Sequence, residues 1–220
     1  MSEHRTVSIA DQIFAQLERD ILSGKYARGE ILTEMRLSSE LGVSRTPIRE
    51  ALKLLEQEML LEETSKGSCV VGITRRDIMD MYDIRLGIEG RCAALAAKNI
   101  SDEQLERMRE ITELQKFYLQ NSDEEQDNSA KIKNLDSEFH QLLYRSSGSR
   151  VYEATLAPMH KKMTKYRMVS IRRTGRAELS VKEHKAIYDA LKAHDEALAA
   201  ERTVIHVQNA RDSILEQKED

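Results

Sequence analysis

Ile9, Ile13, Leu17 and Ile21 recur every four residues, with Phe14 and Leu22 alongside. That spacing puts the apolar positions on one face of a helix expected from about Ser8 to Ser23, with Gly24 as its stop. A second, shorter helix can start at Thr33, a good N-cap, turn Leu37 and Leu41 inward and end at Gly42. Ser44 then opens a third helix that tolerates Pro47 in its first turn and whose expected buried face is Ile48, Ala51, Leu52, Leu55 and Met59. Two helices joined by Gly42-Val43 make a helix-turn-helix. Leu61–Thr64 and Ser68–Val71 flank Ser65-Lys66-Gly67 and predict a β-hairpin with glycine in its turn, the wing of a winged helix-turn-helix.

Beyond residue 73 the pattern changes. Six helices are predicted, at about 74–98, 102–120, 127–147, 150–171, 179–193 and 195–217, and no alternating strand pattern is present. The charge run Ser122–Asp127 is expected to be a solvated loop. The chain breakers agree with this division, because five of the nine glycines fall in the first 72 residues. The fold expected is mainly α: residues 1–72 form a winged helix-turn-helix and residues 73–220 an all-helical antiparallel bundle.

Composition narrows the class. No apolar run approaches the roughly 18 residues of a membrane span, and the first residues, ending in Glu3-His4-Arg5, lack a signal-peptide core, so a cytoplasmic protein with no membrane partner is expected. Cys69 and Cys92 are too few for a disulfide framework and read as small buried hydrophobes. Residues 1–72 carry 9 Lys and Arg against 12 Asp and Glu, so an argument for nucleic acid must rest on local placement.

That placement exists at the start of the third helix. Ser44, Arg45, Thr46 and, one turn later, Arg49 bring hydroxyls, guanidinium forks and unpaired backbone amides to the end that a recognition helix presents to the major groove. Arginine can grip guanine with two donors, while hydroxyls and helix N-terminal amides suit phosphate oxygens. Arg36 and Lys53 add to the local positive charge, and Lys66 and Gly67 carry it to the wing tip. The alternative is that Arg45 and Arg49 only pair with neighbouring carboxylates. Because one recognition helix reads only a few base pairs, operator binding calls for a dimer spanning two half-sites.

The run Leu41-Gly42-Val43-Ser44-Arg45-Thr46-Pro47-Ile48-Arg49-Glu50-Ala51-Leu52 resembles the signature of the GntR family of bacterial transcription regulators, and the helical part resembles the sensor (FCD) domain of its FadR-like branch. The resemblance implies a homodimeric repressor or activator that binds palindromic double-stranded operator DNA and senses a small effector, often an organic acid. Two departures stand out. Met35 occupies a place where many relatives carry arginine, with Arg36 one position later, and Met59 replaces a glycine common before the wing.

Within the helical part, Arg85 falls inside the apolar stripe of Ile78, Met81, Tyr82, Ile88, Cys92 and Leu95. A buried arginine needs a partner: either Glu89 at i+4, or the carboxylate of a bound effector. Asp136 and His140 lie four residues apart on one helix, and His184 and His206 lie on two further inward faces. Imidazoles with a carboxylate suit a divalent transition metal that keeps open positions. The order and spacing of these four resemble those of metal-binding FadR-like sensor domains, which implies one divalent ion per chain: zinc, with nickel or manganese as alternatives. His160 and His194 fit no such pattern, and His4 is expected in a frayed terminus. A metal with free positions could also activate water, or be the signal itself. An enzyme is not expected, since His-Glu-x-x-His, Gly-x-Ser-x-Gly and phosphate-binding glycine loops are absent from the sequence.

Overall fold

A computed structural model of the chain describes residues 8–121, 128–163, 167 and 175–216. The loop expected at Ser122–Asp127, the terminus holding His4, and residues 164–166 and 168–171 of the fourth expected helix lie outside the described residues. The chain divides into two compact units that meet between Thr74 and Arg75.

In the first unit, α1 (Ile9–Ser23) begins at a capping box. The Ser8 hydroxyl accepts from the Asp11 amide, and the Asp11 side chain accepts from the Ser8 amide. Ile13, Leu17 and Ile21 are buried, but Ile9 is 58% exposed, because the first turn runs past the core. α2 (Glu34–Leu41) is capped by the Thr33 hydroxyl and closes at Gly42, whose φ of 67° is the left-handed conformation glycine allows. α3 (Arg45–Gln57) buries Ile48, Ala51, Leu52 and Leu55. Met59 is not on that face: the helix has ended, and the residue is 67% exposed at φ 60°.

Three strands complete the unit. β2 (Leu61–Thr64) and β3 (Gly67–Val70) form the hairpin, and β1 (Ile31–Leu32) adds to the far edge of β3, giving the order β1-β3-β2, all antiparallel. A two-residue strand is too short to show alternation, so the sequence could not announce β1. Gly67 pairs with Thr64 as the first residue of β3 instead of sitting in the turn. A Cβ there would lie 2.8 Å from the Leu32 carbonyl oxygen, so glycine is what lets the hairpin approach β1. Leu17, Leu37, Ile48, Leu55 and Leu60 are fully buried in the shared core of this winged helix-turn-helix.

The second unit is a helical bundle: α4 (Arg75–Asn99), α5 (Asp102–Gln120), α6 (Ser129–Ser146), α7 (Arg150–Lys162), α8 (Arg176–Lys192) and α9 (Glu196–Leu215). α4 packs on α9 and α6, α5 on α6 and α8, and α8 on α9. At Gly90 a Cβ would meet Val204 Cγ2 at 2.8 Å, so a missing side chain sets the close approach of α4 to α9. α7 closes with the Met163 amide on the Met159 carbonyl, and Arg167, within the span expected for this helix, is helical, with its amide on the Met163 carbonyl. α8 starts earlier, immediately after Gly175 at φ 81°. Among the described residues no helix is long and apolar enough to cross a membrane.

Candidate functional site

The chemistry of the second unit converges on its core. Asp136 and His140 project from α6, His184 from α8 and His206 from α9, and all four are buried. They sit on inward faces beside Phe139 and Ile187, so the packing that buries those apolar residues also gathers the polar ones. His140 Nε2 lies 3.2 Å from His206 Nε2, and His184 Nε2 lies 3.6 Å from Asp136 Oδ1.

The outer nitrogens explain the orientation. His140 Nδ1 faces Glu89 Oε1 at 3.2 Å, His184 Nδ1 faces Gln115 Oε1 at 3.0 Å, and His206 Nδ1 faces Glu183 Oε2 at 2.8 Å. An ionised carboxylate or amide oxygen only accepts, so each ring donates from Nδ1, and in its neutral form such a ring turns an unprotonated Nε2 inward. Burial pushes the His140 imidazole down to about 4 against the pull of Glu89 and Asp136, and burial likewise holds His184 well below its ordinary range. His184 Nε2 is buried with no hydrogen-bond partner, and together with the inward Nε2 atoms of His140 and His206 in their neutral form it suits a shared cation. The Nε2 atoms of His140, His184 and His206 are close enough together to share one ion, with the Asp136 carboxylate alongside.

His160, which the sequence pattern leaves out, also lies here, its ring 4.2 Å from that of His140. Its chemistry is the opposite. Arg167 Nη1 donates to His160 Nδ1 at 3.0 Å, so the neutral ring carries its proton on Nε2, 3.7 Å from Asp136 Oδ2. Arg167 also donates to Asp136 Oδ2 and, at 3.1 Å, to Ser137 Oγ. Burial opposes ionisation of Asp136, but Arg167 and then the imidazoles outweigh it and hold the carboxyl well below its usual range. Neither His160 nor Arg167 belongs to a short motif, and only the fold brings them to Asp136. His194 instead faces the Ala97 carbonyl at 2.7 Å from Nδ1.

Arg85 is buried in an ion pair with Glu89, through Nε at 2.6 Å and Nη2 at 3.2 Å. The i+4 partner is therefore present, while the same guanidinium, with those of Arg167 and Arg176, lines the cavity at the histidine cluster. That cavity measures about 30 Å³.

In the first unit, Ser44, Arg45, Thr46, Arg49 and Lys66 are all exposed. Ser44 makes no capping hydrogen bond with its hydroxyl. A groove between the recognition helix and the wing is lined by Arg45, Arg49, Lys53, Lys66 and Gly67. Arg36 lies elsewhere in its bonding, held by Glu30 at 2.7 Å and Glu40 at 2.7 Å and stacked over Tyr26. Glu34 takes both Arg45 and Arg49.

Comparison with known proteins places these two units. Residues 9–71 match the bacterial regulatory proteins of the gntR family, and residues 80–209 match the FCD domain. The HTH-type transcriptional regulator YdhC of Bacillus subtilis is 28% identical over 196 residues, 89% of this chain and 86% of that protein. The gluconate operon transcriptional repressor of Bacillus licheniformis is 32% identical over 135 residues, 61% of this chain and 54% of the repressor. The structure of Escherichia coli McbR/YncC superposes with a TM-score of 0.75 at 22% identity, covering 96% of this chain and 98% of that one. The chain belongs to the GntR family of transcription regulators, in the group whose winged helix-turn-helix is followed by an FCD domain, and is a regulator and not an enzyme.

Proposed function

We propose that this regulator binds a palindromic operator as a homodimer, and that a small organic acid received at a divalent ion in the helical unit controls its affinity. Three inward Nε2 atoms beside the Asp136 carboxylate carry the reading. Asp136, His140, His184 and His206 would hold the ion, and such an ion supplies open positions for an oxygen-donor anion. Glu89, Gln115 and Glu183 fix the imidazoles in the ligand tautomer. Arg85, with Arg167 and Arg176, offers guanidinium donors to the rest of the anion.

A space of about 30 Å³ accepts an ion or a water, so an acid enters only if lining side chains move apart. That requirement links occupancy to helix packing, because the ligands come from α6, α8 and α9 while α4, which starts at the unit boundary, carries Arg85 and Glu89. At the DNA, Ser44 and Thr46 would meet phosphates, Arg45 and Arg49 base edges or phosphates, and Arg36, Lys66 and Gly67 the flanking backbone. A role as repressor accords with the relative named for repression of the gluconate operon. The small cavity also favours a second reading, in which the ion itself is the signal.

Elemental analysis of protein purified without chelator is expected to give about one zinc, nickel or manganese per chain, falling sharply in a His140→Ala/His184→Ala variant. Wild type with no metal, and no rise in melting temperature on adding any of the three, would sink the ion reading. A panel of small carboxylic acids, scored by melting temperature and by gel shift on operator, then separates the readings. An acid that acts only with metal present supports the first; metal alone changing operator affinity supports the second.

A further inference from the structure

The arginines of the recognition helix are not presented free. Glu34, the first residue of α2, accepts from Arg49 through Nε at 2.6 Å on Oε1 and Nη2 at 2.9 Å on Oε2. Its Oε2 also receives Arg45, through Nε at 3.1 Å and Nη2 at 2.9 Å. One carboxylate therefore orders two guanidinium groups on the next helix. Hydrogen bonds from Arg49, and after them those from Arg45, hold the Glu34 carboxyl down to about 2, so it is ionised at neutral pH.

Folding does not account for this arrangement. The Arg45 and Arg49 side chains are 62% and 54% exposed, and ion pairs so placed contribute little to stability. DNA readout does. A free arginine must give up rotamer entropy before its fork can grip a guanine, whereas an arginine already held by its Nε edge has less to lose. A guanidinium has five N–H donors, and Glu34 engages two nitrogens of each, so outward Nη protons remain. The negative charge at the same place opposes phosphate and acts equally on every DNA sequence.

We infer that Glu34 is the positioning residue of the recognition helix, ordering Arg45 and Arg49 for the bases of the operator while weakening attachment to DNA of any other sequence. This rests on the reading of those two arginines as operator contacts. The sequence does not display the relationship, since Glu34 lies 11 and 15 residues from its partners.

The test starts from a half-site selected by the wild-type protein from a random duplex library. Affinity for that duplex and for a scrambled duplex is then measured across a salt series for wild type, Glu34→Gln, Glu34→Asp, Arg45→Ala and Arg49→Ala, with melting temperatures as a check of folding. Glu34→Gln is expected to bind the scrambled duplex about two- to fivefold tighter, one opposing charge being lost. Its selected-to-scrambled ratio is expected to fall about tenfold, the scale of one well-placed base contact. Glu34→Asp keeps the charge but withdraws the carboxylate, so it should lose discrimination at unchanged scrambled affinity. A purely structural Glu34 would instead weaken both duplexes together and lower the melting temperature. If Arg45→Ala and Arg49→Ala lose discrimination while both Glu34 variants keep the wild-type ratio, the inference falls and the arginine reading stands. If the arginine variants also keep it, the reading falls and takes the inference with it.

Discussion

Arg85 and Glu89, one turn apart on α4, form a buried ion pair, with side chains 2% and 0% exposed. Glu89 also accepts from the Tyr144 hydroxyl at 3.0 Å and faces His140 Nδ1, so one carboxylate ties α4 to α6. Removing either partner strands a buried charge, and Glu89→Ala or Arg85→Ala is expected to cost about 3–5 kcal/mol. A joint Arg85→Met/Glu89→Leu change removes both charges and should cost less than either single change. Urea unfolding of the singles and the double checks this; a double variant as unstable as the sum of the singles would show that the two charges do not act as a pair.

Gln115 offers a gentler probe of the metal reading, because it touches the candidate ligand His184 only at Nδ1. Gln115→Leu should fold and yet weaken metal affinity about 10- to 100-fold by releasing the ring's orientation. Competition against a zinc-binding dye measures it. Unchanged affinity would place Gln115 among ordinary core polars.

Two glycines separate conformational strain from steric contact. At Gly42, φ is 67° and a Cβ meets nothing within 4 Å, so Gly42→Ala carries only the left-handed penalty of about 1–2 kcal/mol. At Gly67 a Cβ would press on the Leu32 carbonyl at 2.8 Å with φ at 132°, and Gly67→Ala should cost more than Gly42→Ala, in the range of about 2–4 kcal/mol. Met59, at φ 60°, gives the converse: Met59→Gly is expected to gain up to about 1 kcal/mol. Thermal unfolding of the three variants ranks them.

The thiols should differ in reactivity. Burial pushes Cys92 up to about 12, with Ser147 working against it, whereas Cys69 is half-buried on β3. Native protein at pH 8 is expected to react with a disulfide reagent at Cys69 first, and at Cys92 only on unfolding. The sign for stability follows from the raised value. Above about pH 9 the unfolded chain releases this proton and the folded chain does not, so stability declines from there towards pH 12. Cys92→Ala should flatten that part of the decline, read from urea midpoints at pH 8 and pH 10.

Local signals in the sequence determined most of the elements. The four-residue recurrence of Ile13, Leu17 and Ile21, the cap Thr33 and the stops at Gly24 and Gly42 act within a turn or two, so α1, α2 and α3 could be placed without tertiary information. The same holds for the inward faces that carry Asp136, His140, His184 and His206, because helical periodicity assigns a face whatever lies opposite it. What lies opposite was decided by the tertiary structure. β1 exists only because β3 offers it an edge, and Met59 leaves the helix face because the chain must turn into the wing in a left-handed conformation. Glu34 meets Arg45 and Arg49, and His160 and Arg167 meet Asp136, through contacts between elements that no spacing along one element encodes. Which nitrogen of each imidazole faces inward was likewise set by Glu89, Gln115 and Glu183, each on a different helix from the imidazole it holds. Periodicity is a property of one helix, whereas hydrogen-bond partnership is a property of two, and it is fixed only when packing brings them together.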